Sequence, residues 1–569
     1  MNNINFAKIL FVALAMLLAP VAYAAKADKV DVIVVYDAKP GQAEKDRVKG
    51  LGGETKREFR NFNMRVISIS ENALKSLENG KGVKFVAPDR ETFGMAYLMA
   101  IAPVETSQSA AHMTANMPAM GSINAGYDGT GVGIAIIDSG VGSHIDLNAS
   151  IKQYDFLNGA DPQPAIVDDA IDGYNSSSRS DALGHGTHVA GILSASGQGS
   201  SGQVKGVATD AQLLSLRVLD GDGRGVTSDT IAALDWLLSY GGYFNIGAVN
   251  MSIGKAVEES NATDPLVLAV EQVWDAGMVV VVAAGNYGRD GHMTITSPAN
   301  SRKVITVGSL TDKETGDDFS DDFVSTYSSM GPTLGDHVLK PDLVAPGNKV
   351  VSTVSYGAKL MGDLPNRAVK CYNGDSEVDI VICGAGYLEI SGTSMATPMV
   401  TATAARMLDK DSSLTPATIK ARLMRSARKF AAEPTAVGAG VLNINAALNE
   451  TGTVSGQALS PLMARSDEGP VILVEDTAQL WGDATWGSGY LWTDGYLWTD
   501  GYLWTDGYLW TDGYLWTDGY LWTDGYLWTD GYLWTDGYLW TDGYLWTDAV
   551  TNYNSLYETS SESVDLQDD

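Results

Sequence analysis

Five short runs of almost uninterrupted apolar residues constrain this chain more than any other feature. GVGIAIID (131–138), LLSLRVLD (213–220), GAVNMSI (247–253), VVVVAAGN (279–286) and VITVGSL (304–310) are separated by helical spacing around 186–196, 227–240 and 264–276. A strand with one wet face alternates apolar and polar residues, whereas a continuous run bounded by Gly and Asp suits a strand covered on both faces. Such strands alternating with helices predict an α/β domain built on a doubly wound, mostly parallel sheet. Ligands of these sheets bind just outside the carboxyl ends of the strands. Asp138, Gly223, Ser252 and Asn286 fall at such ends, so the active edge is expected along that line.

Residues 30–90 have a different texture, reading strand, helix, two strands, helix, strand: VDVIVVYD, PGQAEKDRVKGLGG, FRNFNMRVISIS as a strand pair, ENALKSLENG and KGVKFVAPD. That order fits a small ferredoxin-like α+β module. Residues 94–127, rich in Ala, Met, Ser and Gly, read as a linker suited to cleavage. At the start, a lysine-bearing MNNINFAK, the apolar run ILFVALAMLLA and the Ala22-Tyr23-Ala24 site form a secretory signal peptide over 1–24. The run falls short of the roughly 20 residues of a spanning helix.

Amide hydrolysis by a serine hydroxyl needs a base, a carboxylate to hold the base, and donors for the developing oxyanion. Among only six histidines, His185 in DALGHGTHVAG (181–191) is flanked by Gly184 and Gly186 at the start of a helical stretch, which leaves the imidazole uncrowded. Ser394 in ISGTSMATPMVTATAARML (390–408) is placed by a Gly-Thr-Ser turn at the positive end of an Ala-rich helix. Asp138 ends a strand beside a Ser-Gly turn, and Asn286 closes another strand with a side-chain amide that can donate to an oxyanion.

With IIDSG, GHGTHVAG, AAGN and SGTSMATP in that order over 125–450, the chain resembles the subtilisin-like serine proteases, or subtilases. The resemblance implies a triad of Asp138, His185 and Ser394 with Asn286 as oxyanion donor. It also implies that residues 25–105 are an inhibitory propeptide ahead of a peptidase domain over 106–450. Gly223-Arg224-Gly225 and Ser252-Ile253-Gly254 look like the edge segments that pair with an extended substrate, and Ala283, Ala284 and Gly285 like the primary pocket wall. Arg224 at the rim favours acidic residues nearby. Asp146 in SHIDL aligns with a structural calcium ligand of relatives, whereas His144, Asp181, His188 and Ser391 read as structural. The segment 354–389 is longer than in compact relatives, and a Cys371–Cys383 bridge would tie it off.

After a linker at 451–488, residues 489–548 are GYLWTD repeated ten times, followed by an acidic tail at 549–569. In extended backbone the even period puts Tyr, Trp and Asp on one face throughout, which suits glycan stacking or cell-surface docking; repeat expansion without a ligand explains the segment equally well. From 489 onward there is no Lys or Arg, and the chain carries a net charge of −31. That excess repels phosphate backbones and argues against nucleic acid as a partner. The expectation is a secreted, extracellular or surface-associated serine endopeptidase, made as a self-processing zymogen, whose partners are protein or peptide substrates and its own propeptide. The rival is an adhesive protein in which the repeats do the work.

Overall fold

The computed structural model describes residues 29–94 and 126–475, apart from 149, 163–165, 168–169, 172–178, 314–318, 320, 370, 374–375, 379–385, 429–431, 433 and 466–470. The expected signal peptide, most of the linker at 94–127, the repeats and the acidic tail lie outside the described residues. Among those described, no helix is long and apolar enough to cross a membrane.

The N-terminal module runs β1 (Lys29–Tyr36), α1 (Gln42–Gly50), β2 (Glu54–Glu58), β3 (Met64–Ser70), α2 (Glu71–Glu78) and β4 (Val83–Pro88). Its sheet has the order β2-β3-β1-β4, antiparallel throughout. One element differs from expectation. The strand before β3 is the polar ETKRE, and residues 59–63 link the two strands. As the sheet edge, β2 tolerates charges on both faces, and this hides it from a hydrophobic pattern.

The pleat sends alternate side chains to opposite faces, and here each face has its own core. Val32, Val34 and Tyr36 of β1, with Ile67 and Ile69 of β3, pack with Val48 of α1 and Leu77 of α2. Ile33, Val35, Met64 and Val66, with Phe59 and Phe62, instead join the continuous apolar cluster of the main domain. Fully burying one phenyl ring contributes about 1.5–3 kcal/mol, so two anchor the module firmly.

The module continues into β5 (Glu91–Gly94). The main domain then provides β6 (Gly133–Asp138), β7 (Lys152–Asp155), a small hairpin of β8 (Ile166–Val167) and β9 (Ala170–Ile171), α3 (His185–Ser194), β10 (Gln212–Arg217) and β11 (Arg224–Val226). There follow α4 (Thr227–Tyr240), β12 (Ile246–Met251), β13 (Ile253–Gly254), α5 (Pro265–Asp275), β14 (Val279–Ala283), β15 (Ile305–Thr311), β16 (Phe323–Val324) and β17 (Leu343–Pro346). The large sheet has the order β16-β15-β14-β12-β6-β10-β7, with β17 also paired to β15. All pairings but β15–β16 are parallel, as the apolar runs required. From β6 the chain builds outward to β10 and β7 on one side and to β12, β14 and β15 on the other. The carboxyl end of β6 is therefore the switch point where such sheets open a crevice. Beneath it runs α6 (Thr393–Lys410), buried from Thr393 to Met407.

Polar contacts fix the module on α4. Asp235 accepts the backbone N–H groups of Arg60 and Asn61, both at 2.6 Å, and the Asn61 amide donates to Asp235 O and Ser239 Oγ at 2.9 Å. Arg57 pairs with Asp229 at 3.0 Å. At the helix N-terminus, Asp89 accepts the Ser228 N–H at 2.8 Å, and Arg90 O accepts the N–H and O–H of Thr227. Burial lifts the Asp89 carboxyl to about 6.

Candidate active site

β6 delivers Asp138 to the carboxyl edge with no exposed surface. One carboxylate oxygen, Oδ1, lies 2.7 Å from His185 Nδ1 and accepts the Ser139 N–H at 2.7 Å. His185 is the first residue of α3, and the turn into this helix needs glycine twice. Gly184 sits at φ +98°, where a Cβ would meet Ala358 and Val354 at 2.9 Å. A Cβ on Gly186 would lie 2.1 Å from the Gly140 carbonyl oxygen. The glycines therefore serve backbone conformation and close packing rather than room for the imidazole.

A second buried carboxylate ties this corner together. Asp181 accepts hydrogen bonds from Ser139 Oγ at 2.9 Å, the Gly184 and Thr187 N–H groups at 2.8 Å and the Thr187 hydroxyl at 2.7 Å. Ser139 Oγ in turn accepts the Gly186 N–H at 3.0 Å. Burial opposes a proton on His185, but the charge and hydrogen bond of Asp138, helped by the Asp181 charge, hold the imidazole above its usual range.

Ser394 is the second residue of α6, so its N–H belongs to the first turn, where no intrahelical acceptor exists and the helix end is positive. Its hydroxyl donates to Ser252 O at 3.1 Å, and the Ser252 hydroxyl returns a bond to Ser394 O at 3.0 Å. Among the described residues, His185 Nε2 has no hydrogen-bond partner. Just past β14, Asn286 Oδ1 accepts the Thr393 N–H at 2.9 Å and its hydroxyl at 3.1 Å. With the carbonyl committed, the amide N–H groups are what Asn286 can offer a neighbour. Ala283 and Ala284 are fully buried at the end of β14, and Gly285 turns the chain at φ +113° beside the Thr393 hydroxyl.

The cleft is occupied by the chain itself. β5 is the middle strand of three, antiparallel to β11 on one side and β13 on the other. Thr92 lies opposite Gly225, Phe93 opposite both Arg224 and Gly254, and Gly94 opposite Ile253. The Gly94 N–H donates to Gly223 O at 3.1 Å. Both segments expected to flank an extended peptide thus flank one here. Arg224 reaches Glu91 at 3.4 Å and stacks over the Phe93 ring at 5.7 Å. A Cβ on Gly94 would sit 3.2 Å from Leu219 Cδ1 and 3.7 Å from His185 Nδ1.

Asp146 does not fit a calcium ion. Its Oδ1 accepts the Gly199 N–H at 2.6 Å and its Oδ2 the Tyr387 hydroxyl at 2.5 Å, so both oxygens are committed to protein donors. Among the described residues no group of three or more His, Cys, Asp or Glu is arranged to hold a metal. His188 is buried against Leu388 O at 2.9 Å, and burial pushes it down to about 3, so it is a neutral packing residue. His144 bonds Gly386 O at 3.0 Å. Ser391 accepts the Lys349 N–H and bonds Asn348. Cys371 starts a short strand, and Cys383 and any bridge to it lie outside the described residues.

Sequence reasoning overlooked three things: the strand at 91–94, the acidic anchors Asp229 and Asp235 on α4, and the bridging role of Asp181. ETFG carries no strand periodicity, and only its two partners make it a strand. Asp181 offered a signal, since an acidic residue a few positions ahead of a helix can satisfy the orphan N–H groups of the first turn.

A model of the Peptidase_S8 subtilase family matches residues 129–443. Serine protease AprX of Bacillus subtilis (strain 168) is 38% identical over 321 residues, which cover 55% of this chain and 65% of AprX, just under two thirds of its length. Subtilisin NAT of Bacillus subtilis subsp. natto is 30% identical over 406 residues, covering 71% of this chain and 85% of that protein. In fold, the chain is similar to fervidolysin from Fervidobacterium pennivorans, a keratinolytic enzyme related to subtilisin. That likeness has a TM-score of 0.54 at 21% identity over 75% of this chain and 62% of fervidolysin. The chain belongs to the subtilase family of subtilisin-like serine proteases.

Proposed function

We propose that this chain is a secreted serine endopeptidase made as a zymogen, with residues 29–94 as the core of its inhibitory propeptide. The observation that carries the reading is β5, threaded as an extended strand between β11 and β13 with Gly94 against His185. Strand addition of this kind recognises backbone more than side chains, which suits a protease of broad choice. The signal-like residues 1–24 support export.

In the proposed reaction the Ser394 hydroxyl turns from Ser252 O to His185 Nε2, which takes its proton as the oxygen attacks a substrate carbonyl. Asp138 holds the ring with Nδ1–H toward itself and steadies the imidazolium. The Asn286 amide and the Ser394 N–H receive the oxyanion. His185 then protonates the leaving amine, and water, deprotonated by the same nitrogen, releases the acyl group.

The test compares wild type with Ser394→Ala by intact mass, N-terminal sequence and casein hydrolysis. The reading expects wild type to lose its N-terminal module and degrade casein, while the variant does neither. If both keep the module and neither cleaves casein, the reading fails and the adhesive alternative built on the repeats takes its place.

A further inference from the structure

The residue just ahead of β5 carries a charge that the main domain receives on a surface of its own. Arg90 O accepts the Thr227 N–H at 2.8 Å and the Thr227 hydroxyl at 2.9 Å. Thr227 is the buried first residue of α4, so its N–H is one of the donors that a helix start leaves without an intrahelical acceptor. A peptide that takes the path of β5 therefore has its backbone fixed at this position as well as in the ladder. From there the Arg90 side chain crosses to the loop between β13 and α5. Its Nη1 lies 2.6 Å from Glu258 Oε2, and its Nε and Nη2 lie 3.0 and 2.9 Å from Glu259 Oε1.

Contacts within the main domain hold that loop. Ser260 Oγ and the Asn261 N–H both donate to Asp336 at 2.6 Å. Asp264 caps α5 by accepting the Leu266 N–H at 2.9 Å, and it also takes Lys255 Nζ at 2.6 Å and Ser297 Oγ at 2.7 Å. Lys255 reaches Glu259 at 3.2 Å as well. Glu258, Glu259 and Asp264 thus share two cations, Arg90 and Lys255, and Lys255 is committed first to the buried Asp264. Once the module leaves, the guanidinium goes with it, and a fixed pair of carboxylates remains beside the path of an incoming peptide.

We propose that Glu258 and Glu259 form a substrate subsite for arginine or lysine. The mature enzyme then favours protein segments with a basic residue four positions ahead of the one that takes the place of Gly94. This rests on the zymogen reading above and gives that enzyme a class of preferred substrate. Arginine suits the site better than lysine, because its planar fork can address both carboxylates at once, as Arg90 does. Four residues of extended chain span about 13 Å, so the subsite stands well away from His185. A contact so far from the reacting atoms is the same in the ground and transition states, and it lowers KM while leaving kcat alone.

The test uses enzyme freed of its module and peptides built on a casein site that it cuts. Because Gly94 faces His185, Arg or Gln is placed in turn at the fifth, sixth and seventh residue before the cut. At one of these positions the Arg peptide should show about threefold to tenfold higher kcat/KM, carried by KM, as expected of two partly exposed ion pairs. The advantage should shrink in about 1 M salt. Glu258→Gln combined with Glu259→Gln should bring the Arg-to-Gln ratio to about one. Glu258→Lys should turn the preference toward a Glu peptide, which a folding defect cannot do. A wild-type ratio near one at all three positions overturns the inference and leaves the zymogen reading intact, with Arg90 serving only to anchor the module. A ratio that persists in the double variant overturns it too, since the cation is then read elsewhere. Wild type that keeps its module and cuts no casein defeats both readings.

Discussion

Replacing Asp235 by alanine tests how the N-terminal module is held. The Asp235 carboxylate accepts two backbone N–H groups at 2.6 Å, from Arg60 and Asn61. Hydrogen bonds to a charged group contribute about 1.5–3 kcal/mol each. Arg60 and Asn61 are exposed, so water can take over their N–H groups and the lower end applies. Two bonds then amount to about 3 kcal/mol, or roughly 10²-fold in the dissociation constant at about 1.4 kcal/mol per decade. The position lies inside α4, where alanine is the best helix former, so the free enzyme should be unharmed. The assay dilutes self-cleaved enzyme with its module still bound and follows peptide hydrolysis against concentration. Asp235→Ala should reach full activity at about 10²-fold higher concentration than wild type, with a shorter lag. A dissociation constant within threefold of wild type, at unchanged kcat, would refute the interface.

Three further outcomes follow from the same geometry. Asp138→Asn keeps the shape beside His185 but removes the charge that holds the ring, and kcat should fall by about 10⁴, as in other triads of this kind; a loss under tenfold on a peptide substrate would place the base elsewhere. Asp181→Asn should lower kcat with KM little changed and move the acid limb of the pH profile to lower pH, because the Asp181 charge helps to raise His185; an unmoved limb would reduce Asp181 to a packing role. Burial lifts Asp89 to about 6 in the seated module against an ordinary value of 3.8, so the seated state holds its proton more tightly. Seating is thus favoured at low pH and weakens as pH climbs from about 4 through 6, then levels off; Asp89→Asn should flatten that dependence, and a wild-type affinity constant from pH 4 to 7 would contradict it.

Much of this protein was legible residue by residue. The five apolar runs required strands buried on both faces, and a parallel sheet follows because only helices on both sides can cover them. Asp138, His185, Ser394 and Asn286 stood out because strand ends and helix starts are marked locally by Gly, Asp and Ser. The α/β order of residues 30–90 was readable too, except at β2, where a charged edge strand has no apolar face to betray it.

Other features depend on partners distant in sequence. Residues 91–94 are a strand only because β11 and β13, 130 and more positions away, supply hydrogen bonds on both sides. Asp181 read only as structural, and its bond from Ser139, 42 residues away, is visible only in the fold. Asp146 carried a metal-like motif, but its oxygens went to Gly199 and Tyr387, donors that no local pattern could foretell. Sequence alone determined the chemistry available and the elements that carry it, since both follow from local periodicity and residue type. Tertiary structure alone decided which backbone lies in the cleft, in what register, and which carboxylates are spent on protein, because hydrogen bonds are satisfied only by the groups that folding brings within 3 Å.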